Sequence, residues 1–320
     1  MPRVRTGCIR VGISGWRYAS WRGVFYPKEL RKKDELAHAS TRFATIEING
    51  TFYSLQRPEL FAAWYAATPE KFVFAVKGGR FITHMKKLRD IEIPLANFFA
   101  SGVLRLGEKL GPILWQFPAD FAFDEARLDA FLRLLPRNTA EAAQLAGRHD
   151  HRVAGRSWMG PVPASRLRYA VEVRHRSFMT MRFVSLLRRH RVALVFADSA
   201  DFPYFEDLTS DFVYLRLHGS EELYVSGYAD VALARWAARI SAWAAGKAPR
   251  DAISIGAPPS ASVKSRDVYV YFDNDAKGRA PFDATALMGH LSKGRALPDD
   301  CGDPSTPRSP DTGSRVPIQV

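Results

Sequence analysis

Three side chains suited to moving protons, Glu47, Glu172 and His218, stand at or just past the ends of short apolar runs, in TIEIN, AVEVR and YLRLHG. Two carboxylates and an imidazole are what general acid–base catalysis employs when burial and neighbouring charge tune their proton affinities. The same runs carry cations that can hold an anion: Lys77, Arg174 and Arg216. Asn49, Gln116, Asp198, Asn274 and Asp275 add hydrogen-bonding groups at other run ends, and Trp16 and Tyr53 add aromatic walls.

For these groups to meet, the apolar runs must be strands of one sheet. Eight β-branched runs fit: 9–14, 43–48, 72–76, 113–117, 169–173, 192–197, 212–217 and 268–272. Helical spacing lies between them at 27–39, 58–67, 96–109, 124–135, 178–190, 229–245 and 283–291. In the sixth of these, Leu233, Trp236, Ile240 and Trp243 line one apolar stripe, which is core packing. Eight strands alternating with helices predict a parallel α/β fold, a single (β/α)8 TIM-type barrel. The barrel domain is expected over 1–292, with a polar insertion at 138–165 before strand five and a disordered tail at 293–320.

Active groups of such a barrel gather where the strands end. Alternation puts Glu47 with Asn49, Glu172 with Arg174, and Arg216 with His218 on faces opposite their apolar neighbours. Because the surrounding helices demand apolar contact, these charged faces are expected to point into the lumen. Glu47, Glu172 and His218 would supply acid–base groups, and Lys77, Arg174 and Arg216 would hold an anion. The competing expectation is a buried network in which Glu47, Glu172, Arg174 and Arg216 only neutralise one another.

Glu47, Glu172, Asp198, His218 and Asp275 are also the residue types of divalent-cation sites, but Lys77, Arg174 and Arg216 beside them oppose a cation. The metal question stays open, and no cofactor is named. His149 and His151 resemble a ligand pair but sit in the basic insertion without a companion cysteine, and read as a solvated loop.

Composition narrows the classes. The 320 residues are 47% hydrophobic and 25% charged, ordinary for a globule, and no apolar stretch reaches the length of a membrane span. The N-terminus lacks a secretory pattern, and the two cysteines, Cys8 and Cys301, form no multi-bridge framework, so a cytoplasmic protein is expected. The net charge of +13 collects on the folded part, around 31–33, 148–168 and 174–191, which admits a polyanionic partner. P-loop, dinucleotide, zincin and serine-hydrolase motifs are all missing.

The segments GISGWRYASWRGVFYP (12–27), FATIEINGTFYSL (43–55), FVFAVKGGRFITH (72–84), GPILWQFPADF (111–121), AVEVRHRSF (170–178), YLRLHG (214–219) and VYVYFDND (268–275) follow one another in the order of a known family. The chain resembles the YecE-like family, domain of unknown function 72. The resemblance implies a (β/α)8-type barrel without an established activity. It carries motif positions onto Trp16, Glu47, Asn49, Thr51, Tyr53, Lys77, His84, Gln116, Glu172, Arg174, Asp198, Arg216, His218, Asn274 and Asp275. Phe178 departs from the tryptophan usual at its place.

Three functions are consistent with these residues. The first is an enzyme, a hydrolase, lyase or isomerase, acting on a small anionic, phosphorylated or sugar-like substrate. The second is a nucleic-acid-binding protein using the external basic clusters. The third is a ligand-binding barrel without turnover.

Overall fold

The computed structural model describes residues 6–219, 224, 226–257 and 263–293. Eight parallel strands close in chain order: β1 (Ile9–Ser14), β2 (Thr45–Ile48), β3 (Val73–Lys77), β4 (Leu110–Gln116), β5 (Tyr169–Glu172), β6 (Ala193–Asp198), β7 (Phe212–Leu217) and β8 (Asp267–Phe272), with β8 pairing back onto β1. The (β/α)8 barrel expected from the eight runs is the observed fold.

Alternation divides each strand between two environments. Ile13, Ile46, Ile48, Val76, Val171, Leu215 and Phe272 join the large core between strands and helices. Val73, Ala75, Leu114, Ala170, Ala193, Val195, Ala197, Phe212, Tyr214, Tyr269 and Tyr271 form a separate cluster that fills the lumen. Large rings from β7 and β8 occupy space left by alanines of β3, β5 and β6, so the lumen is packed solid. Gly12 on β1 is required by this crowding, since a Cβ there would lie 1.9 Å from the Thr45 carbonyl oxygen of the paired strand. At the lower end, Arg168 donates to Asp267 at 2.8 Å and closes the barrel.

The helices are α1 (Glu35–Ser40), α2 (Gly50–Tyr53), α3 (Pro58–Ala66), α4 (Glu92–Ala100), α5 (Glu125–Leu134), α6 (Thr139–Ala146), α7 (Met181–His190), α8 (Asp230–Ala244) and α9 (Ala280–Lys293). Local signals set several boundaries. Asp124 and Thr180 accept from the backbone N–H three residues on and start α5 and α7. The stripe Leu233, Trp236, Ile240 and Trp243 of α8 is buried throughout.

Two expectations are corrected. The helix expected over 27–39 is confined to α1 and a preceding 3-10 turn, Lys32–Asp34. The helix expected over 96–109 is α4 followed by a 3-10 segment, Val103–Lys109, because Gly102 adopts φ 110° between them. The insertion at 138–165, expected to be polar, also carries packed apolar residues: Ala142 and Ala146 bury the face of α6 that packs on α4, and Asn97 donates to Asp150 at 2.9 Å. The tail expected from 293 lies, after Lys293, outside the described residues. Among the described residues no helix is long and apolar enough to cross a membrane. Cys8 is buried and is not a free thiol, so the cysteines carry no argument about compartment.

Trp115 links this packing to the mouth. It lies on the outer face of β4, fully buried against Phe98 and Phe131 at ring distances of 5.5 and 5.3 Å. Its ring also abuts Gly78, directly after Lys77, where a Cβ would come within 2.2 Å. Trp115→Ala is expected to lower the unfolding free energy by about 3–5 kcal/mol, read by urea denaturation.

Candidate functional site

The mouth is built on one guanidinium. Arg216 projects into the lumen from β7 with no solvent exposure. Its Nη1 donates to Glu172 Oε2 at 2.8 Å, and its Nη2 lies 2.9 Å from Glu47 Oε1, 2.7 Å from Asp273 Oδ2 and 3.1 Å from Ser14 Oγ. Strand pairing sets this up: Ser14 is opposite Glu47, and Gln116 is opposite Glu172. Ser14 donates to Glu47 Oε1 at 2.6 Å, Tyr214 to Glu47 Oε2 at 2.6 Å, and Asn49 to Ser14 Oγ at 3.0 Å. Gln116 Nε2 and Arg174 Nε donate to Glu172 Oε1 at 2.8 and 2.9 Å.

Burial alone would raise the carboxyl groups of Glu172 and Asp273, but the cations prevail. Arg216 and then Arg174 hold Glu172 well below the usual carboxylate range. Asp273 is likewise held low, against its burial, by Arg216 and by His218. Asp275, in the turn that follows β8, moves the other way: burial and the charge of Asp273 push it well above its ordinary value. The two aspartates are thus driven apart in proton affinity, Asp273 down and Asp275 up.

Above this floor two cations have donors to spare. Arg174 spends Nε on Glu172 and Nη2 on Tyr224 OH at 3.1 Å, and its guanidinium lies over the Phe202 ring at 4.2 Å. Its Nη1 makes no hydrogen bond among the described residues. Lys77 is 8% exposed, and its Nζ lies 4.4 Å from the centre of the Phe52 ring with no hydrogen bond or ion pair among the described residues. Burial, reinforced by Arg216, pushes its ammonium down to about 8. His84 packs edge-on against Phe52 at 5.0 Å, and burial with the nearby Lys77 and Arg174 lowers it to about 4, so its ring is neutral at physiological pH.

His218 completes the mouth. Its Nδ1 sits 3.1 Å from Asp273 Oδ2, outside linear hydrogen-bond geometry, and Nε2 has no partner among the described residues. Phe202 and Tyr224 meet the imidazole edge-on at 5.8 and 5.4 Å.

The family model for a protein of unknown function, DUF72, matches residues 10–309. The chain belongs to the DUF72 family. A DUF72 family protein from Thermotoga maritima has a similar structure, with a TM-score of 0.64 and 23% identity over 89% of this chain and 99% of that one. Two structures of a DUF72 family protein from Enterococcus faecalis match with TM-scores of 0.61 at 18% and 17% identity, covering 89% and 90% of this chain and 95% and 99% of theirs. At these identities the likeness concerns the fold. No curated protein matches.

Of the side chains expected at the site, this DUF72 barrel gathers Glu47, Asn49, Lys77, Gln116, Glu172, Arg174, Arg216, His218 and Asp275 at one end. Four others lie elsewhere. Trp16 is buried in the outer core against Trp64, with ring centres 5.4 Å apart. Tyr53 is 69% exposed, and its neighbour Phe52 takes the place beside Lys77. Asp198 shares the outward parity of Leu194 and Phe196 and accepts from Tyr228 OH at 2.9 Å. Asn274 shares that of Val270 and Phe272 and donates to Asp283 at 2.7 Å on α9. Strand parity, applied past the last strand residue, separates these last two from the inward set.

Ser14, Tyr214 and Asp273 belong to the network and were legible by the same parity. Tyr18, Phe52, Phe202 and Tyr224 lie off the strands, where no period marks them. Among the described residues no cluster of three or more His, Cys, Asp or Glu is arranged for a metal. Outside the barrel, the basic clusters are partly neutralised: Arg31 pairs with Asp34, Arg166 with Asp211, Arg188 with Asp207 and Arg189 with Glu125.

Arg216→Met leaves three buried carboxylates without their shared cation. It is expected to cost about 3–5 kcal/mol of stability at neutral pH. Glu172 and Asp273 are depressed on folding, so their stabilising contribution is in force above the unfolded carboxylate range near about 4 and fades below it. Without Arg216 that contribution is lost, and protonation relieves the orphaned carboxylates. Denaturation series should therefore show the gap between variant and wild type narrowing from pH 7 toward pH 4.

Proposed function

We propose that the barrel mouth binds a small anionic molecule, phosphorylated or sugar-like, and carries out acid–base chemistry on it as a hydrolase, lyase or isomerase. The observation that carries this reading is the imbalance of donors. Glu47, Glu172 and Asp273 are answered by Arg216, while Arg174 Nη1 and Lys77 Nζ have no acceptor among the described residues. Unused, partly desolvated cationic donors favour an anion over a cation.

Within this reading, Arg174 and Lys77 hold the anion, and a ligand oxygen takes the place of Tyr224 OH or joins it on Arg174. His218 accepts a proton through its unpartnered Nε2. Asp275 donates one, since two carboxyls driven apart by their surroundings divide the acid and base roles. Glu172 and Glu47 act through others: every carboxylate oxygen of the two accepts from Arg, Gln, Ser or Tyr, so they fix Arg174 and Arg216 rather than exchange protons with a ligand.

A metabolite screen by calorimetry, followed by turnover assays on the hits, tests this. Arg174→Gln should weaken the anion by about 10- to 100-fold, the loss of one charged hydrogen bond. His218→Asn and Asp275→Asn should fold normally by circular dichroism and abolish turnover. Binding with no turnover in the wild type would make the barrel a ligand-binding protein. Anion affinity unchanged in Arg174→Gln would remove the mouth from the reading.

A further inference from the structure

We propose that Lys77 is an amine nucleophile, and that the ligand of the mouth carries a carbonyl group which condenses with it to an imine. This rests on the reading of the mouth as an anion site and names the substrate class that site takes.

The argument starts from what Lys77 lacks. A buried ammonium is costly unless hydrogen-bonded or paired, and native structures nearly always supply a partner. Lys77 ends β3 facing inward, is largely buried though its Nζ is not sealed from solvent, and has neither hydrogen bond nor ion pair among the described residues. A lysine whose role was to neutralise the mouth would sit on one of the carboxylates, yet Glu47, Glu172 and Asp273 are taken by Arg216, with Arg174 adding to Glu172. What Nζ touches instead is the Phe52 face.

The charged groups around it are mixed in sign. Arg216 of β7 disfavours its ammonium, Glu47 of β2, Glu172 of β5 and Asp273 just past β8 favour it, and burial together with Arg216 outweighs the three carboxylates. His84, on the turn after β3, is neutral and contributes no cation at neutral pH. The free amine is therefore well populated near pH 8, whereas an exposed lysine is protonated. A desolvated lysine on a rigid strand end, with an anion-binding arginine in the same mouth, is the arrangement that activates an amine toward carbonyl carbon.

The step balances without a further reagent. The Nζ lone pair attacks the carbonyl carbon, the C–N bond forms as the C=O π bond opens, and the oxygen takes up a proton. The nitrogen then loses a proton, the carbinolamine hydroxyl leaves as water after protonation by a mouth acid such as Asp275, and an iminium remains. Hydrolysis reverses the sequence and returns the free lysine.

The test uses the full chain with glycolaldehyde phosphate and, separately, glyoxylate, each with sodium cyanoborohydride, which supplies hydride to fix an iminium as a secondary amine. Peptide mass spectrometry should find the adduct on Lys77 roughly tenfold or more faster than on the exposed Lys28 and Lys33, with the rate rising through a midpoint near pH 8. Lys77→Arg removes the primary amine and should form no adduct there, while the wild-type chain should bind 2-hydroxyethyl phosphate, a phosphate without a carbonyl. Labelling of Lys77 no faster than Lys28 overturns the proposal. If 2-hydroxyethyl phosphate still binds and Arg174→Gln weakens it, the anion site stands and only the nucleophile falls. If it does not bind at all, the anion reading falls and the imine proposal falls with it.

Discussion

One guanidinium in a dry lumen governs the upper half of this barrel. Arg216 has nowhere to find water, so its charge must be met by protein, and three carboxylates from β2, β5 and the end of β8 meet it. Desolvating four charges is expensive, and only close contacts with further hydrogen bonds to the carboxylates recover that cost. Ser14, Tyr214, Gln116 and Arg174 provide them, which ties four further strand positions or ends to the same centre.

The network also decides what is left for a ligand. The sequence offered two outcomes for its charged side chains, a self-neutralising plug or an anion site, and the fold divides those side chains between two depths. Glu47 and Arg216 answer one another in the floor. Lys77 and the outer edge of Arg174 stand above it with donors unspent. Aromatic rings from outside the strands, Phe52, Phe202 and Tyr224, lie against these cations, and partial exclusion of water strengthens any electrostatic contact made there.

Much of this was readable because a period of two has no tolerance for slippage. Once Ile46 and Ile48 face the helices, Glu47 must enter the lumen, and Leu215 and Leu217 commit Arg216 in the same way. The readings that failed did so where the period stops. Asp198 and Asn274 sit at strand ends like the lumen-facing residues, but their parity is outward, and they bond to Tyr228 ahead of α8 and to Asp283 of α9. Trp16 and Tyr53 lie off the strands, where no period of two sets their direction. The segment at 138–165 reads as polar because its arginines, glycines and prolines outnumber the two alanines that bury a face of α6.

The sequence by itself determined the eight-strand alternation, the inward charge on β2, β5 and β7, and the family, because these depend on local periodicity and ordered motifs. The tertiary structure alone decided which cation pairs with which carboxylate. Arg216, Arg174 and Lys77 are chemically alike as letters, and only barrel closure, register and lumen depth give one three partners, the next a single one, and the last none among the described residues. Coulomb energy falls off with distance and depends on exclusion of water, and neither quantity exists until the strands have closed.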